Sequence, residues 1–156
     1  MNIFFFDESI TKSTRAYPDK YYKIILEIAQ MMSTAKKLED PEYPCYKASH
    51  VNHPMTKWVR ESMGNFFYAA RYAYGIQEEM YYRFGTRHKS INIINDLCDH
   101  PPFLPRPFTQ PPLCMPDQYK TDDIYHSYRQ YFIHEKLNTI KCTWKNRNPP
   151  SWLPSK

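Results

Sequence analysis

"HPMTKWVRESMGNFFYAARYAYGIQEEMYYRFG", residues 53 to 85, decides the fold class. Val59, Met63, Phe66, Ala70 and Ala73 recur at spacings of three and four, which marks one apolar face of an α-helix. Pro54 suits a first helical position and Gly85 a left-handed cap. The pattern therefore predicts one helix from Pro54 to Phe84, roughly 45 Å long. The neighbouring stripe, Trp58, Ser62, Asn65, Ala69, Tyr72, Ile76, Glu79 and Arg83, reads as a polar ladder beside the core. Glu79 and Arg83 stand in the favourable i,i+4 order and can pair with each other.

Upstream, Tyr21, Ile25, Ile28 and Met32 predict an amphipathic helix over 18–37, with Pro18 in its first turn. "NIFFF", residues 2 to 6, is a short β-type run. One strand makes no sheet, so it is expected to lay the N-terminus across the core. Downstream, a short helix is expected over 88–97. Residues 101 to 116 hold seven prolines, which excludes helix and predicts an extended strap, a PxxP ligand being the alternative reading. Thr121 is expected to cap a last helix, with Ile124, Tyr128, Tyr131 and Phe132 on its buried face and its end near Leu137. The tail "KCTWKNRNPPSWLPSK" reads as a docked strap, or alternatively as a stacking surface for bases. The expected architecture is mainly α: a compact bundle of three principal helices with a Pro-rich strap and an extended basic tail, in a single domain spanning 1–156.

Hydrophobic residues at 42% and charged residues at 24% are globular composition and exclude a disordered chain. Fourteen tyrosines exceed what a core of this size needs, so some rings are expected at a surface or cleft. A formal charge of +5 leans toward an acidic partner such as nucleic acid, although such an excess also occurs without one. No apolar run approaches the roughly 18 residues that span a bilayer, and "MNIFFFDESITK" has no basic region ahead of a long apolar one. A soluble, cytoplasmic protein is expected. Cys45, Cys98, Cys114 and Cys142 are scattered without a CxxC, which argues for reduced thiols and against a zinc cage.

Three constellations could carry chemistry. His50 and His53 precede the long helix, and Lys57 and Arg60 lie in its first two turns, at the positive end of the peptide dipoles. An anion offsets such crowding, either a phosphate or a protein carboxylate such as Glu61; otherwise His53 merely caps and His50 hydrogen-bonds locally. In "YPDKYYK", residues 17 to 23, Asp19 beside Lys20 and Lys23 is the pairing that Schiff-base chemistry needs, or simply a solvated helix start. "RFGTRHKS", residues 83 to 90, places Arg83, Arg87, His88 and Lys89 together as a phosphate-contact patch, or as compensation of a helix C-terminus. Two histidines without a fixed third ligand predict no metal, and three isolated glycines make no phosphate loop, so no cofactor is expected.

"DKYYKIILEIAQMMSTA" (19–35), "YKASHVNHPMTKWVRES" (46–62) with Asn65, "EEMYYRFGTRHKS" (78–90), and "MPDQYK" followed by "YRQYFIHEK" (115–136) resemble a family of small, mostly uncharacterised phage proteins. More remotely, the order of parts is similar to the pyrimidine-dimer DNA glycosylases of the endonuclease V type. Those enzymes are mainly α, attack C1′ with an N-terminal α-amine and use a glutamate near the start of the first helix. The resemblance implies a DNA glycosylase/AP lyase-like enzyme acting on duplex DNA in the host cytoplasm. It puts Asp19 in the place of the glutamate and makes the Met1 amine or Lys20 the nucleophile. Asp19, Lys20, His50 and His53 are the expected catalytic group. Lys23, Lys57, Arg60, Asn65, Arg83, Arg87, His88 and Lys89 are the expected DNA or phosphate contacts. Two rival readings stand beside it: a non-catalytic nucleic-acid-binding module, and an enzyme acting on a free nucleotide or small anion with His50 and His53 as acid and base.

Overall fold

In the computed structural model, which describes residues 1–155, the chain is mainly α and contains no strand among the described residues. Where the sequence predicts three principal helices and a short one over 88–97, the described residues form six: α1 (Ile10–Arg15), α2 (Ile24–Glu39), α3 (Pro54–Val59), α4 (Met63–Phe84), α5 (Ile91–Asp99) and α6 (Ile124–Tyr131). A 3₁₀ turn, Asp19–Lys23, leads into α2, and a π turn, Phe132–Lys136, continues α6. No described helix is long and apolar enough to cross a membrane.

α4 is the central helix, packed against α1, α2 and α5. Surrounded in this way, it buries both of its stripes. The supposed polar ladder, from Trp58 through Asn65 and Tyr72 to Arg83, is inside. The helix ends as expected at Gly85, in the left-handed region with φ 65°, where its N–H donates to Tyr81 O.

The predicted 31-residue helix, however, is broken at Arg60–Ser62. Ser62 is extended, and its hydroxyl accepts from Asn65 N–H, which starts a new helix. The Pro-rich strap completes the break: Met63 N–H and Gly64 N–H donate to Pro105 O and Arg106 O. The Asn65 amide then donates to Trp58 O and Thr109 Oγ1 and accepts from Thr109 N–H, which ties α3, α4 and the strap together. A Cβ on Gly64 would lie 2.7 Å from Phe108 N, so the strap's close approach requires glycine there.

The N-terminal run crosses the core as an unpaired extended segment, with Ile3, Phe4, Phe5 and Phe6 buried. Side chains take the place of a neighbouring strand. The Tyr17 hydroxyl accepts from Phe4 N–H and donates to Phe4 O, Phe6 N–H donates to Ser13 Oγ, and Arg129 Nε donates to Phe6 O.

Two further expectations shift. The helix predicted from Pro18 begins as 3₁₀ and becomes α at Ile24, because Asp19 N–H is drawn to Thr143 O and Tyr21 N–H to Pro18 O. The last helix is capped by Asp123, not Thr121: the Asp123 carboxylate accepts from Tyr125 and His126 N–H, while Thr121 Oγ1 accepts from Asp123 N–H. The tail docks. Trp144 Nε1 donates to Ala16 O, and Trp152 packs on Phe6 and Phe132.

Candidate active site

The extended N-terminus brings Met1 to the first turn of α2. There the chain's amino group lies 3.6 Å from Glu27 Oε2, and Asn2 N–H donates to the same oxygen at 3.0 Å. A carboxylate in the first helical turn is also favoured by the helix dipole. Glu27 Oε1 has no hydrogen-bond partner among the described residues. The amine and Glu27 line a cleft of about 310 Å³, together with Tyr21, Lys23, Tyr131 and Lys136. The π turn carries the last of these to the cleft: it widens the backbone after Tyr131, and Lys136 lies with its ammonium 5.1 Å from the Tyr131 ring centre.

His53 lies within electrostatic reach of this pair. Burial lowers its pKa first; the chain's amino terminus and His50 lower it further, and Glu27 opposes them. The ring is neutral at neutral pH. Its Nδ1 accepts from Met55 N–H at 3.1 Å as the cap of α3, which assigns the proton to Nε2. His53 is therefore a cap and a neutral N–H donor at once. The segment before it is set along α2 by Thr34 Oγ1, which accepts from Ser49 N–H and donates to Ser49 O. His50 is exposed and takes a left-handed φ of 47°, with its carbonyl accepting from His53 N–H.

Asp19 is not part of this group. Its carboxylate accepts from Arg83 Nη1, Thr143 Oγ1 and Lys145 N–H, so its oxygens are spent on holding the tail. No hydrogen bond or ion pair links Asp19 to His50, His53 or Arg60 among the described residues. Lys20 is exposed; burial raises the pKa of the Cys142 thiol in the tail, and the Lys20 charge only partly opposes it.

The expected phosphate contacts divide. Lys23, Lys57 and Lys89 are exposed; Arg87 is exposed and donates to Asn92 Oδ1. Arg60 Nη1 donates to Val51 O at 2.6 Å and so braces the turn before α3. His88 is half-buried, with Nδ1 accepting from Ser90 N–H. Arg83 and Asn65 are corrected outright. Arg83 is buried and donates to Glu79, Asp19, Tyr17 O and Arg15 O, and Asn65 is fully buried and bonded to the strap. Neither can reach a phosphate.

Glu27 and Lys136 escaped sequence reading, Tyr131 was read only as a buried-face residue, and the Met1 amine entered only as what the resemblance implies. One signal existed for Glu27: it is the acid in the first turn of the true α2, and the 3₁₀ turn had displaced the expected helix start upstream. No group of three His, Cys, Asp or Glu side chains is placed to hold a metal ion among the described residues. Compared with protein families, with curated proteins and with solved structures, the chain finds no match.

Proposed function

We propose that the chain is a DNA-processing enzyme of the glycosylase/AP lyase type, with the Met1 amine as nucleophile and Glu27, in place of Asp19, as the carboxylate. The observation that carries this reading is the 3.6 Å approach of the amine to Glu27 at the edge of an open cleft. It restores the amine-and-glutamate pairing that the resemblance to the pyrimidine-dimer glycosylases implies.

Glu27 takes a proton from the amine and frees its lone pair. The amine attacks C1′ of the damaged nucleotide. The C1′–N bond breaks, its electron pair leaves with the base, and the base recovers the proton from Glu27. Transfer of an amine proton to O4′ opens the sugar and leaves a protonated imine at C1′. Glu27, again a carboxylate, removes a C2′ proton, the 3′ phosphate departs by β-elimination, and water hydrolyses the imine. Lys23 and Lys136, which line the cleft, and Lys57 on the adjoining α3 meet the backbone phosphates. Neutral His53 offers Nε2–H to a phosphate oxygen. The partner is duplex DNA, encountered in a host cytoplasm where the four cysteines stay as the free thiols observed.

Incubation with a duplex bearing a single abasic site tests the reading. Strand cleavage on the 3′ side, and a covalent protein–DNA adduct when borohydride is present, are expected. Absence of both would overturn it.

A further inference from the structure

A second cleft, of about 720 Å³, opens where α1 meets the C-terminal tail. It rests on residues other than Met1 and Glu27. Lys12 and Arg15, one turn apart on α1, line one side, Arg147 of the tail lines another, and Asn146 and Asn148 add amides. Asp7 also lines it, but its carboxylate is engaged by Arg129 Nη2 and Ser9 N–H.

Glu79 organises these cations. Its side chain is 7% exposed, and its oxygens accept from Arg147 Nη2 at 2.8 Å, Arg147 Nε at 3.1 Å and Arg83 Nε at 3.0 Å. Arg83 and Arg147 together balance Glu79 and Asp19, which leaves the charges of Arg15 and Lys12 in excess. Arg147 is fixed on its other side by the Tyr82 ring, 4.0 Å from its guanidinium carbon, and its Nη1 remains unspent among the described residues. Arg15 is 53% exposed and reaches Glu79 only at 3.8 Å, beyond hydrogen-bond distance. Lys12 has no ion pair among the described residues. Lys12, Arg15 and Arg147 therefore crowd one cleft, with carboxylate charge already committed behind them. Such crowding is repulsive unless an anion enters.

We propose that this cleft binds a phosphate group, with Arg15 as a forked donor, Arg147 donating through Nη1 and Lys12 as a point charge. One guanidinium held in place by a buried carboxylate, beside a second whose fork is free, suits phosphate oxygens, and three cations from separate positions suit a tetrahedral anion better than a planar carboxylate. Free phosphate, a phosphomonoester and a phosphodiester share this chemistry.

Calorimetric titration of the full chain with inorganic phosphate, thymidine monophosphate and a dinucleoside phosphodiester, against chloride at equal ionic strength, tests the proposal. Saturable binding of at least one is expected, and the tightest of the three identifies the source. Lys12→Glu with Arg15→Glu, both at exposed positions, should weaken it by about tenfold or more, while Arg15→Lys, which keeps charge and loses the fork, should fall between. No binding beyond that of chloride, or equal affinity in the double variant, overturns it. Abasic-site cleavage is read separately, so either proposal can fail alone.

Discussion

Two clusters pair carboxylates with cations, and they differ in what is left over. Around Arg83, the carboxylates are spent: Glu79 and Asp19 accept from its guanidinium, the carbonyls of Arg15 and Tyr17 take two more of its donors, and Thr143, Lys145 and Arg147 complete the carboxylates. Around Met1, Glu27 keeps an unpartnered oxygen, the amine meets one carboxylate, and a cleft lies beside them. A saturated buried network fixes structure, because breaking it strands a charge in low dielectric. An unsaturated pair beside a cleft has capacity for a substrate. Acidic and basic residues of the same kinds serve both purposes, and their unused valence separates the two.

That contrast can be broken by substitution. Glu27→Gln should slow cleavage of an abasic duplex by about 10²–10⁴-fold with little change in Tm, since a partly exposed ion pair contributes at most about 1 kcal/mol. Gel assays and thermal melts of one preparation read both effects. Arg83→Ala should do the reverse in kind. Removing a fully buried partner from Glu79 and Asp19 should cost about 3–5 kcal/mol of stability in denaturant unfolding and loosen the tail.

Smaller effects sharpen the comparison. Asn65→Ala strands Thr109 N–H and removes one of the two bonds to Trp58 O, and should cost about 1–3 kcal/mol and release the strap, seen as faster amide exchange at Thr109. The smallest effect concerns pH. Burial, the chain amine and His50 hold His53 below its ordinary pKa of 6.5, so the unfolded chain binds a proton there first as pH falls. The stability contributed by the neutral cap is present above pH 6.5 and is lost as pH falls toward the folded value. His53→Asn, which keeps a capping side chain, should hold its Tm at pH 8 and lose less of it on acidification than the native chain. Some loss should persist, because burial also holds His88 below its ordinary value.

The same contrast explains how far the sequence could be read. Local signals survived: the apolar run at 2–6, the Gly85 cap and the proline strap each follow from the residues in place. What failed depended on distant chain. The long helix breaks at Ser62 because the strap, some forty residues on, occupies the first N–H groups of α4. The stripe that ends in Glu79 and Arg83 looked like a solvent ladder because α1 and the tail that cover it are remote in sequence. Arg83 and Asn65 were therefore misread as phosphate contacts. Asp19 drew attention through its lysine neighbours, whereas the neighbours that decide its role are Arg83 and Thr143. Glu27 was legible only once the 3₁₀ turn had moved the start of α2 to Ile24.

The central claim is that the unsaturated pair, and no lysine, is the reactive centre. Borohydride trapping on an abasic duplex, followed by proteolysis and mass mapping of the modified peptide, tests it most directly. The adduct is expected on the α-amine of Met1, with a strong loss of it when that amine is blocked. An adduct on Lys20, Lys23 or Lys136, with the Met1 amine unmodified, would contradict it.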